Sequence, residues 1–326
     1  MTIGTSAIRA VFAGAGVAMM GEAPVVEAVL SLTGKAPADI RLLYLGTATY
    51  DLESFRTKQT AAFAQRGVSV CSLDVACKTP TEEAVADAIT EADIILVSGG
   101  NTLFAVDRWT RAKMVEPLRT AMTQSTVLCG GSAGAGCWFD ALHSDSMDPD
   151  WYRELMLKGG GAAADKSAAS AEAAAIGEGQ APRPWEYIRV PALGFLPGLL
   201  CPHHDRTQSN GVLRATDFNG MLRRHPGETG LAIDHFAALI VSDDEYRVLT
   251  LPGKPGSLTP SGGNEPGNGV PTCWLKTVAD DGVSIQEQAL PERGPLSSLL
   301  HPARAIVEDA RVGRARAENP SDDVVA

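Results

Sequence analysis

The sequence has few positive charges and no long apolar run. Of its 326 residues, 28 are Lys or Arg and 39 are Asp or Glu, which leaves a formal net charge of -11, and the basic residues form no cluster. Nucleic acid is therefore not an expected partner, because binding to phosphates requires grouped basic side chains. No apolar run approaches the roughly 20 residues that span a bilayer, so we expect no membrane association.

Cysteine is scarce, and its spacing has no pattern. The six cysteines form no CxxC pair and no Cys/His spacing typical of a zinc site. We therefore expect no metal, no cofactor and a reduced, cytoplasmic setting. The apolar stretch 10–20 follows a single arginine and could pass for a weak signal-peptide core, but its glycines favour a first strand that runs into a turn.

The first half of the chain, from residue 8 to about 139, alternates short apolar strands with amphipathic stretches. This alternation is typical of βαβ units that wind a mostly parallel sheet with helices on both faces, so we predict a doubly wound α/β fold. Strands are predicted at 9–14, 40–45, 68–73, 94–97 and 126–130, and helices at 24–32, 52–65, 81–92 and 102–124. Ligands bind at the carboxyl ends of such strands, which directs attention to the loops after Val97 and Gly130.

The second half is less regular. We predict a helix at 211–224, a hairpin over 230–251 that closes the sheet, and a strand pair over 273–287. The Gly/Ala/Ser-rich segment 158–184 is predicted to be a surface insertion, and 252–271 a Pro/Gly-rich loop. The whole is interpreted as one α/β domain over 1–317 with a disordered tail over 318–326.

A serine stands where one of the predicted strands ends. The segment 126–139, TVLCGGSAGAGCWF, breaks an apolar strand at paired glycines, presents Ser132 and continues as a small-residue helix. This strand-turn-helix context is the one in which G-x-S-x-G indicates a nucleophile elbow, with the N–H of Ala133 available for an oxyanion. The alternative is an ordinary glycine-rich turn with a capping serine.

A second glycine-rich turn, SGGNT at 98–102, follows the predicted strand 94–97. If adjacent strands bring this turn beside Ser132, the N–H of Gly100 can supply a second oxyanion donor, since glycine lets the backbone approach a substrate closely. Phosphate binding is the competing interpretation of the turn. Neither turn carries the lysine of a P-loop, which disfavours it.

A serine nucleophile needs a base, and His203 is the favoured candidate. It follows Pro202 at the end of the apolar run LGFLPGLLC, where an imidazole could reach a hydroxyl at the same sheet edge. His143 is a rival because it is closer in sequence to Ser132. The remaining candidates are interpreted as surface or packing residues: His225, His235 and His301.

The acid that would orient the base has several candidates. Four aspartates are candidates: Asp140, Asp145, Asp148 and Asp205. Asp145 is flanked by two serines, so local hydrogen bonds could fix it in a position to hold the tautomer of an imidazole. We take Asp145 as the best candidate and leave the other three open.

These pieces together resemble a known family. The Gly99-Gly100-Asn101 turn, the Gly131-Ser132-Ala133-Gly134-Ala135 elbow and the Pro202-His203 strand end, in that order, look like the peptidase E family of aspartyl dipeptidases, which also contains cyanophycinase. The resemblance runs from about residue 42 to 251 and skips the insertion. It implies a class I glutamine-amidotransferase-like fold, a Ser-His-acid triad and cleavage of peptides after an N-terminal aspartate.

The resemblance also implies a role for individual residues. Ser132 matches the nucleophile, His203 the base, and Gly100 and Ala133 the oxyanion donors. Asp145 is the best match for the acid, although the spacing needs a short gap. His204 departs from the family pattern, because relatives often carry an aromatic residue there, and the insertion and the long loop are departures too.

Selection of an N-terminal aspartate requires a cation, and the planar fork of arginine suits a carboxylate. Arg214 roughly matches a family arginine, Arg206 is closer to His203, and Asn101 is a further expected substrate contact. We predict a serine exopeptidase that takes a small peptide as its partner, with a homodimer left open. The alternatives are another peptide or ester hydrolase on the same site, cyanophycinase-like for example, and a catalytically silent protein that binds a small anion.

Overall fold

The computed structural model describes residues 8–158, 183–251, 253–254 and 269–320. The predicted insertion at 158–184, the predicted loop at 252–271 and the predicted tail at 318–326 lie largely outside the described residues.

In the first half of the chain, strands alternate with helices. The elements of all described residues are as follows. The strands are β1 (Arg9–Ala13), β2 (Arg41–Leu45), β3 (Ser69–Ser72), β4 (Ile94–Val97), β5 (Val127–Gly131), β6 (Phe139–Ser144), β7 (Ile188–Pro191), β8 (Leu196–Cys201), β9 (Gly230–Ile233), β10 (Ala237–Ser242), β11 (Glu245–Thr250), β12 (Cys273–Val278), β13 (Ile285–Ala289) and β14 (Arg293–Pro295). The α-helices are α1 (Val17–Met20), α2 (Ala23–Thr33), α3 (Glu53–Ala64), α4 (Glu82–Thr90), α5 (Thr102–Arg111), α6 (Val115–Thr123), α7 (Ala133–Gly136), α8 (Arg153–Lys158), α9 (Arg214–Arg224) and α10 (Arg311–Glu318).

The larger sheet has eight strands in the order β14-β11-β10-β1-β5-β4-β2-β3. Its five strands from the first half of the chain pair in parallel, and β10, β11 and β14 add an antiparallel edge. The central strand β4 reads IILV and is buried throughout, because separate apolar clusters cover the two faces of the sheet. The five parallel strands were predicted from the sequence to within one residue at each end.

One predicted helix is divided in two. The sequence predicts a single helix over 102–124, whereas α5 ends at Arg111 and α6 begins at Val115. Lys113 between them has a φ of 55°, a left-handed conformation that cannot continue a right-handed helix. The side chain of Asn101 fixes the start of α5 by accepting a hydrogen bond from the N–H of Phe104.

A second sheet, which the sequence did not predict, contains six strands in the order β13-β12-β9-β8-β6-β7. Its strands β6, β8 and β9 are parallel, and β7, β12 and β13 pair antiparallel with their neighbours. The run 230–251 is therefore divided between the sheets. It supplies β9 to the smaller sheet, while β10 and β11 form an antiparallel hairpin in the larger one.

The two sheets approach each other where their parallel strands end. The N–H of His203, after β8, donates to the carbonyl of Gly14, after β1, over 3.1 Å. A Cβ at Gly14 would lie 1.9 Å from the carbonyl oxygen of Asp234, after β9, so only glycine allows this approach. No helix in the described ranges has the length and apolar character needed to cross a membrane.

Candidate active site

Ser132 connects β5 to α7 in a strained turn. Its φ of 56° and ψ of -119° lie outside the regions that a serine ordinarily adopts, and its N–H donates to the carbonyl of Ala13 over 3.1 Å. Glycines on both sides make the turn possible. A Cβ at Gly131 would lie 1.8 Å from the carbonyl oxygen of Ala15, and one at Gly134 would lie 2.1 Å from that of Val97.

Ser132 lies in a cleft between the ends of the two sheets, with 8% of its surface exposed. The residues that line the cleft are Gly16, Val17, Thr49, Phe55, Gln59, Gly99, Gly100, Ser132, Trp151 and His203. The structure thus brings together three predicted site residues from three separate loops: Ser132, Gly100 and His203. The walls formed by Thr49, Phe55, Gln59 and Trp151 were missed by sequence reasoning, because no motif surrounds them.

Two backbone amides flank the serine. Gly100 has a φ of 116°, and a Cβ there would lie 2.3 Å from the carbonyl oxygen of Ala48, so this position requires glycine. Within the described part of the chain, the N–H groups of Gly100 and Ala133 donate no hydrogen bond. They are therefore free to bind a negatively charged oxygen formed beside Ser132.

His203 is the histidine of the cleft. It is 4% exposed and has a φ of 47°, a conformation fixed in part by the hydrogen bond from its N–H to Gly14. Burial, followed by the charges of nearby groups, holds the pKa of His203 well below its ordinary value, so the ring is neutral and can accept a proton. No hydrogen bond joins its ring to Ser132 among the contacts described, and such bonds often form only when substrate is bound.

The Nδ1 atom of His203 faces a second histidine. It lies 2.8 Å from the Nδ1 atom of His235, which follows β9 and is fully buried. Burial, and then the nearby cations Arg206 and Lys254, lower the pKa of His235 to about 3. Of the two interpretations of His235, surface or packing, the structure supports a buried, packed residue, and it adds a contact with the predicted base. Both histidines stand two residues after the end of an apolar strand, but this shared position does not reveal that the two rings meet.

The predicted acid lies elsewhere. Asp145 accepts hydrogen bonds from Gln208 over 3.1 Å and from Arg214 over 3.4 Å, and the structure does not bring it to His203. Asp140 accepts a hydrogen bond from the N–H of Gly198, and Asp148 accepts one from the hydroxyl of Ser209. Asp205 comes nearer, because its Oδ1 accepts from the backbone N–H of His235 over 2.7 Å.

The rival base also lies outside the cleft. His143 is fully buried in β6, where its Nε2 lies 2.9 Å from Asp217 and its Nδ1 accepts from Arg214 over 3.2 Å. Burial lowers the pKa of His143 to about 4. His143 is thus part of a hydrogen-bonded interior rather than of the site with Ser132.

Two expected substrate contacts have internal roles. Arg214 is fully buried and donates to the carbonyl of His143 over 2.7 Å and to Asp145 and Gln208, so its guanidinium does not face the cleft. Asn101 is also fully buried. Its amide donates to the carbonyl of Trp151 over 3.1 Å and to Tyr50, which holds the tryptophan wall of the cleft in place.

Arg206 is the arginine that remains near the site. Its N–H donates to the carbonyl of His203 over 3.0 Å, and its guanidinium lies 5.0 Å from the ring centroid of Phe236. Its Nε lies 3.8 Å from Asp205, beyond hydrogen-bond distance. Both Nε and Nη2 are buried and have no hydrogen-bond partner among the described residues.

The cleft holds a serine at a strand-turn-helix junction, the context in which G-x-S-x-G indicates a nucleophile elbow, and a family model matches most of the chain. The model of peptidase family S51 matches residues 10–249, so the chain belongs to this family. The resemblance to the peptidase E and cyanophycinase family is thereby confirmed.

Relatives from three organisms match large parts of the chain. A protein of Trypanosoma brucei brucei named G2/mitotic-specific cyclin-1 is 30% identical over 268 residues, 76% of this chain and 77% of the relative. The uncharacterized peptidase YgaJ of Bacillus subtilis (strain 168) is 25% identical over 205 residues, 63% of this chain and 70% of the relative. The crystal structure of a peptidase from an acI-B1 Actinobacterium shares the fold, with a TM-score of 0.55 and 14% identity over 90% of this chain and 98% of that one. The name cyclin belongs to the trypanosome protein and is not applied to this chain.

Proposed function

We propose that this protein is a serine exopeptidase that hydrolyses dipeptides or short peptides with an N-terminal aspartate. The observation that supports it best is the strained Ser132, which shares one cleft with His203 and Gly100. A class I glutamine-amidotransferase-like fold belongs to the same proposal, and the parallel order β1-β5-β4-β2-β3 is consistent with it. All six cysteines are free thiols, which fits the predicted cytoplasmic setting.

The proposed reaction has two steps. In the first, Nε2 of His203 takes the proton of the Ser132 hydroxyl as its oxygen attacks the peptide carbonyl, and the N–H groups of Gly100 and Ala133 bind the oxyanion. The C–N bond then breaks, and His203 gives its proton to the leaving amine. In the second step, His203 takes a proton from the water that attacks the acyl-enzyme and gives it to the oxygen of Ser132 as the C–O ester bond breaks, which releases the acid product.

Substitution of the serine tests the reaction. Ser132→Ala should reduce kcat for an Asp-Leu dipeptide by several orders of magnitude, because removal of a nucleophile also leaves its base without a function. Ser98→Ala is the matched control, since Ser98 is a buried serine at the end of the neighbouring strand β4 and does not line the cleft. Equal hydrolysis by wild type and Ser132→Ala would remove Ser132 from the mechanism.

Two further outcomes separate the alternatives. A fluorophosphonate should label wild type and the Ser98→Ala variant but not Ser132→Ala, whereas a silent anion-binding protein would not be labelled at all. Hydrolysis of longer peptides without hydrolysis of Asp-Xaa dipeptides would favour a cyanophycinase-like enzyme.

The proposed preference for aspartate rests on Arg206. Its Nε and Nη2 atoms have no hydrogen-bond partner among the described residues, and Nε has only the ion pair with Asp205 at 3.8 Å, so both can donate to a carboxylate. Charge-assisted hydrogen bonds of this kind are worth about 1.5–3 kcal/mol each. Arg214, by contrast, has its donors occupied by His143, Asp145 and Gln208. Arg206 therefore replaces Arg214 as the residue that would bind the aspartate side chain.

A pair of substrates tests the role of Arg206. Wild type should prefer Asp-Leu to the uncharged isostere Asn-Leu, and Arg206→Gln should lower kcat/KM for Asp-Leu by roughly 10- to 100-fold with little effect on Asn-Leu. Arg224→Gln, at a half-exposed position at the end of α9, should leave the preference unchanged. An undiminished preference for Asp-Leu in Arg206→Gln would contradict the assignment.

A further inference from the structure

The Nδ1 atom of His203, the proposed base, faces a second imidazole, that of His235. We propose that His235 is the positioning residue of this site: it accepts a hydrogen bond from the Nδ1–H of His203 and so directs the Nε2 lone pair of His203 toward Ser132, in place of a carboxylate. The inference rests on the proposed function and deepens it, because it assigns the third member of the catalytic set.

The distance between the two rings restricts their protonation. At 2.8 Å, one Nδ1 must donate and the other must accept. If His203 donates, its Nε2 has a free lone pair and can take the serine proton. If His203 accepts, its Nε2 carries the proton and it cannot act as a base. The active form therefore has His235 as the acceptor, with the proton of His235 on its own Nε2.

His235 is held rigidly enough for this role. It follows β9, which pairs in parallel with β8, so the loops that carry His235 and His203 leave the same edge of the smaller sheet. Its N–H donates to Asp205 over 2.7 Å, and its ring packs edge-to-face on Phe236 at 4.5 Å between centroids. Four carboxylates were candidates for this role, and the described contacts of His203 include none of them.

A neutral partner has a different electrostatic effect from an acid. A carboxylate would stabilise the imidazolium form of His203, whereas neutral His235 does not. The charged and titratable groups around the pair are Arg206 and Arg214 near His203, Lys254 near His235, and the carboxyls of Asp205 and Asp234. The acid limb of the pH dependence of kcat/KM should therefore lie below the ordinary histidine range, and a carboxylate at position 235 should move it to higher pH.

Three substitutions of His235 separate a positioning role from a packing role. The oxygen of Asn stands near the position of the His Nδ1 atom and can accept the same bond, Leu cannot accept it, and Asp accepts it with a negative charge. His235→Leu should lower kcat by roughly 100- to 10,000-fold with little change in KM. His235→Asn should recover activity to within about tenfold of wild type, and His235→Asp should shift the acid limb upward by about one pH unit or more.

Two controls isolate the effect. His225→Gln replaces another buried histidine outside the cleft and should leave the acid limb where it is. Asp205→Asn keeps an oxygen that can accept the N–H of His235 but removes a titratable group, so an acid limb that persists in this variant is not the titration of Asp205, whose own pKa is raised by burial and by nearby Asp234. Wild-type kcat and an unmoved limb in His235→Leu would overturn the proposal.

A measurement without substrate keeps this inference separate from the proposed function. In protein labelled with ¹⁵N-histidine, a hydrogen-bonded Nδ1–H proton shared by the two rings should appear in wild type and in His225→Gln and be absent from His235→Leu. If it persists in His235→Leu, the pairing is wrong. If it behaves as expected but no peptide is hydrolysed, the pairing stands and the proposed reaction fails.

Discussion

At Ser132 the backbone adopts a conformation that residues with a side chain rarely take. The nearby glycines make this conformation possible. Gly131 and Gly134 have no Cβ where the carbonyls of Ala15 and Val97 approach. Strain of this kind is stable only when the surrounding structure fixes it, and it presents the hydroxyl at the end of the strand instead of burying it in the sheet.

Gly134→Ala should therefore disturb both stability and activity. Its Cβ would lie 2.1 Å from the carbonyl oxygen of Val97, and we expect a loss of about 1–3 kcal/mol in the free energy of unfolding together with a fall in kcat. Gly313→Ala is the matched control, because Gly313 is also helical, is exposed and has nothing within 4 Å. It should stabilise by about 0.5–1 kcal/mol. Equal Tm values for the two variants would contradict this account of the turn.

The sequence reveals those site residues whose signal is local. Ser132 and Gly100 lie in glycine-rich turns after apolar strands, and His203 follows a proline at a strand end. The partner of His203 has no such local signal. His235 is 32 residues away and meets His203 only because β8 and β9 are neighbours. A pattern of residue types does not state which strands pair, so Asp145, with its flanking serines, was the better candidate from sequence.

At the scale of elements, the site is formed where the ends of two sheets meet. The loops after β1, β4 and β5 come from the larger sheet and the loops after β8 and β9 from the smaller one. The parallel half of the larger sheet was predictable, because each of its strands is a short continuous apolar run between helical stretches. The smaller sheet was not, because its strands are spread over residues 139–289, and the pairing of β9 with β12 joins residues 40 or more apart.

The link between β6 and α9 gives Arg214 a structural role that can be tested. Arg214→Gln would leave the buried Asp145 without its cation, and removal of one partner of a buried pair costs about 3–5 kcal/mol. Arg224→Gln, in the same helix but half-exposed, should change stability by about 0.5 kcal/mol or less. Urea denaturation measures both. Unchanged stability of Arg214→Gln with a lost preference for Asp-Leu would restore Arg214 as a substrate contact.

At the scale of the whole molecule, the interior contains titratable groups whose pKa values are shifted in opposite directions. Burial lowers the pKa of His143 to about 4 and that of His235 to about 3, while it raises the pKa of Asp51 and of Asp148 to about 6. The neutral form is favoured in every case, because a buried charge is costly. The pH dependence of stability is therefore a sum of terms of opposite sign.

Comparison of wild type with a single variant isolates one of these terms. The unfolded chain protonates His143 near pH 6.5, whereas the folded protein does so only near pH 4, so acidification through this window adds protons mainly to the unfolded state and lowers the free energy of unfolding. Asp51 and Asp148 act in the opposite sense, since the folded state binds their protons first as the pH falls through about 6, but they are present in both proteins and cancel.

His143→Gln should be less stable than wild type at pH 7, because it loses the contacts with Asp217 and Arg214. Its deficit should shrink on acidification by up to about 1.4 kcal/mol per pH unit between pH 6.5 and 4, since the variant has no imidazole to protonate on unfolding. Urea denaturation at pH 7, 6 and 5 measures the difference, with the exposed His301→Gln as the control. If the free energy of unfolding of wild type and of His143→Gln changed with pH in parallel, burial would not keep His143 neutral.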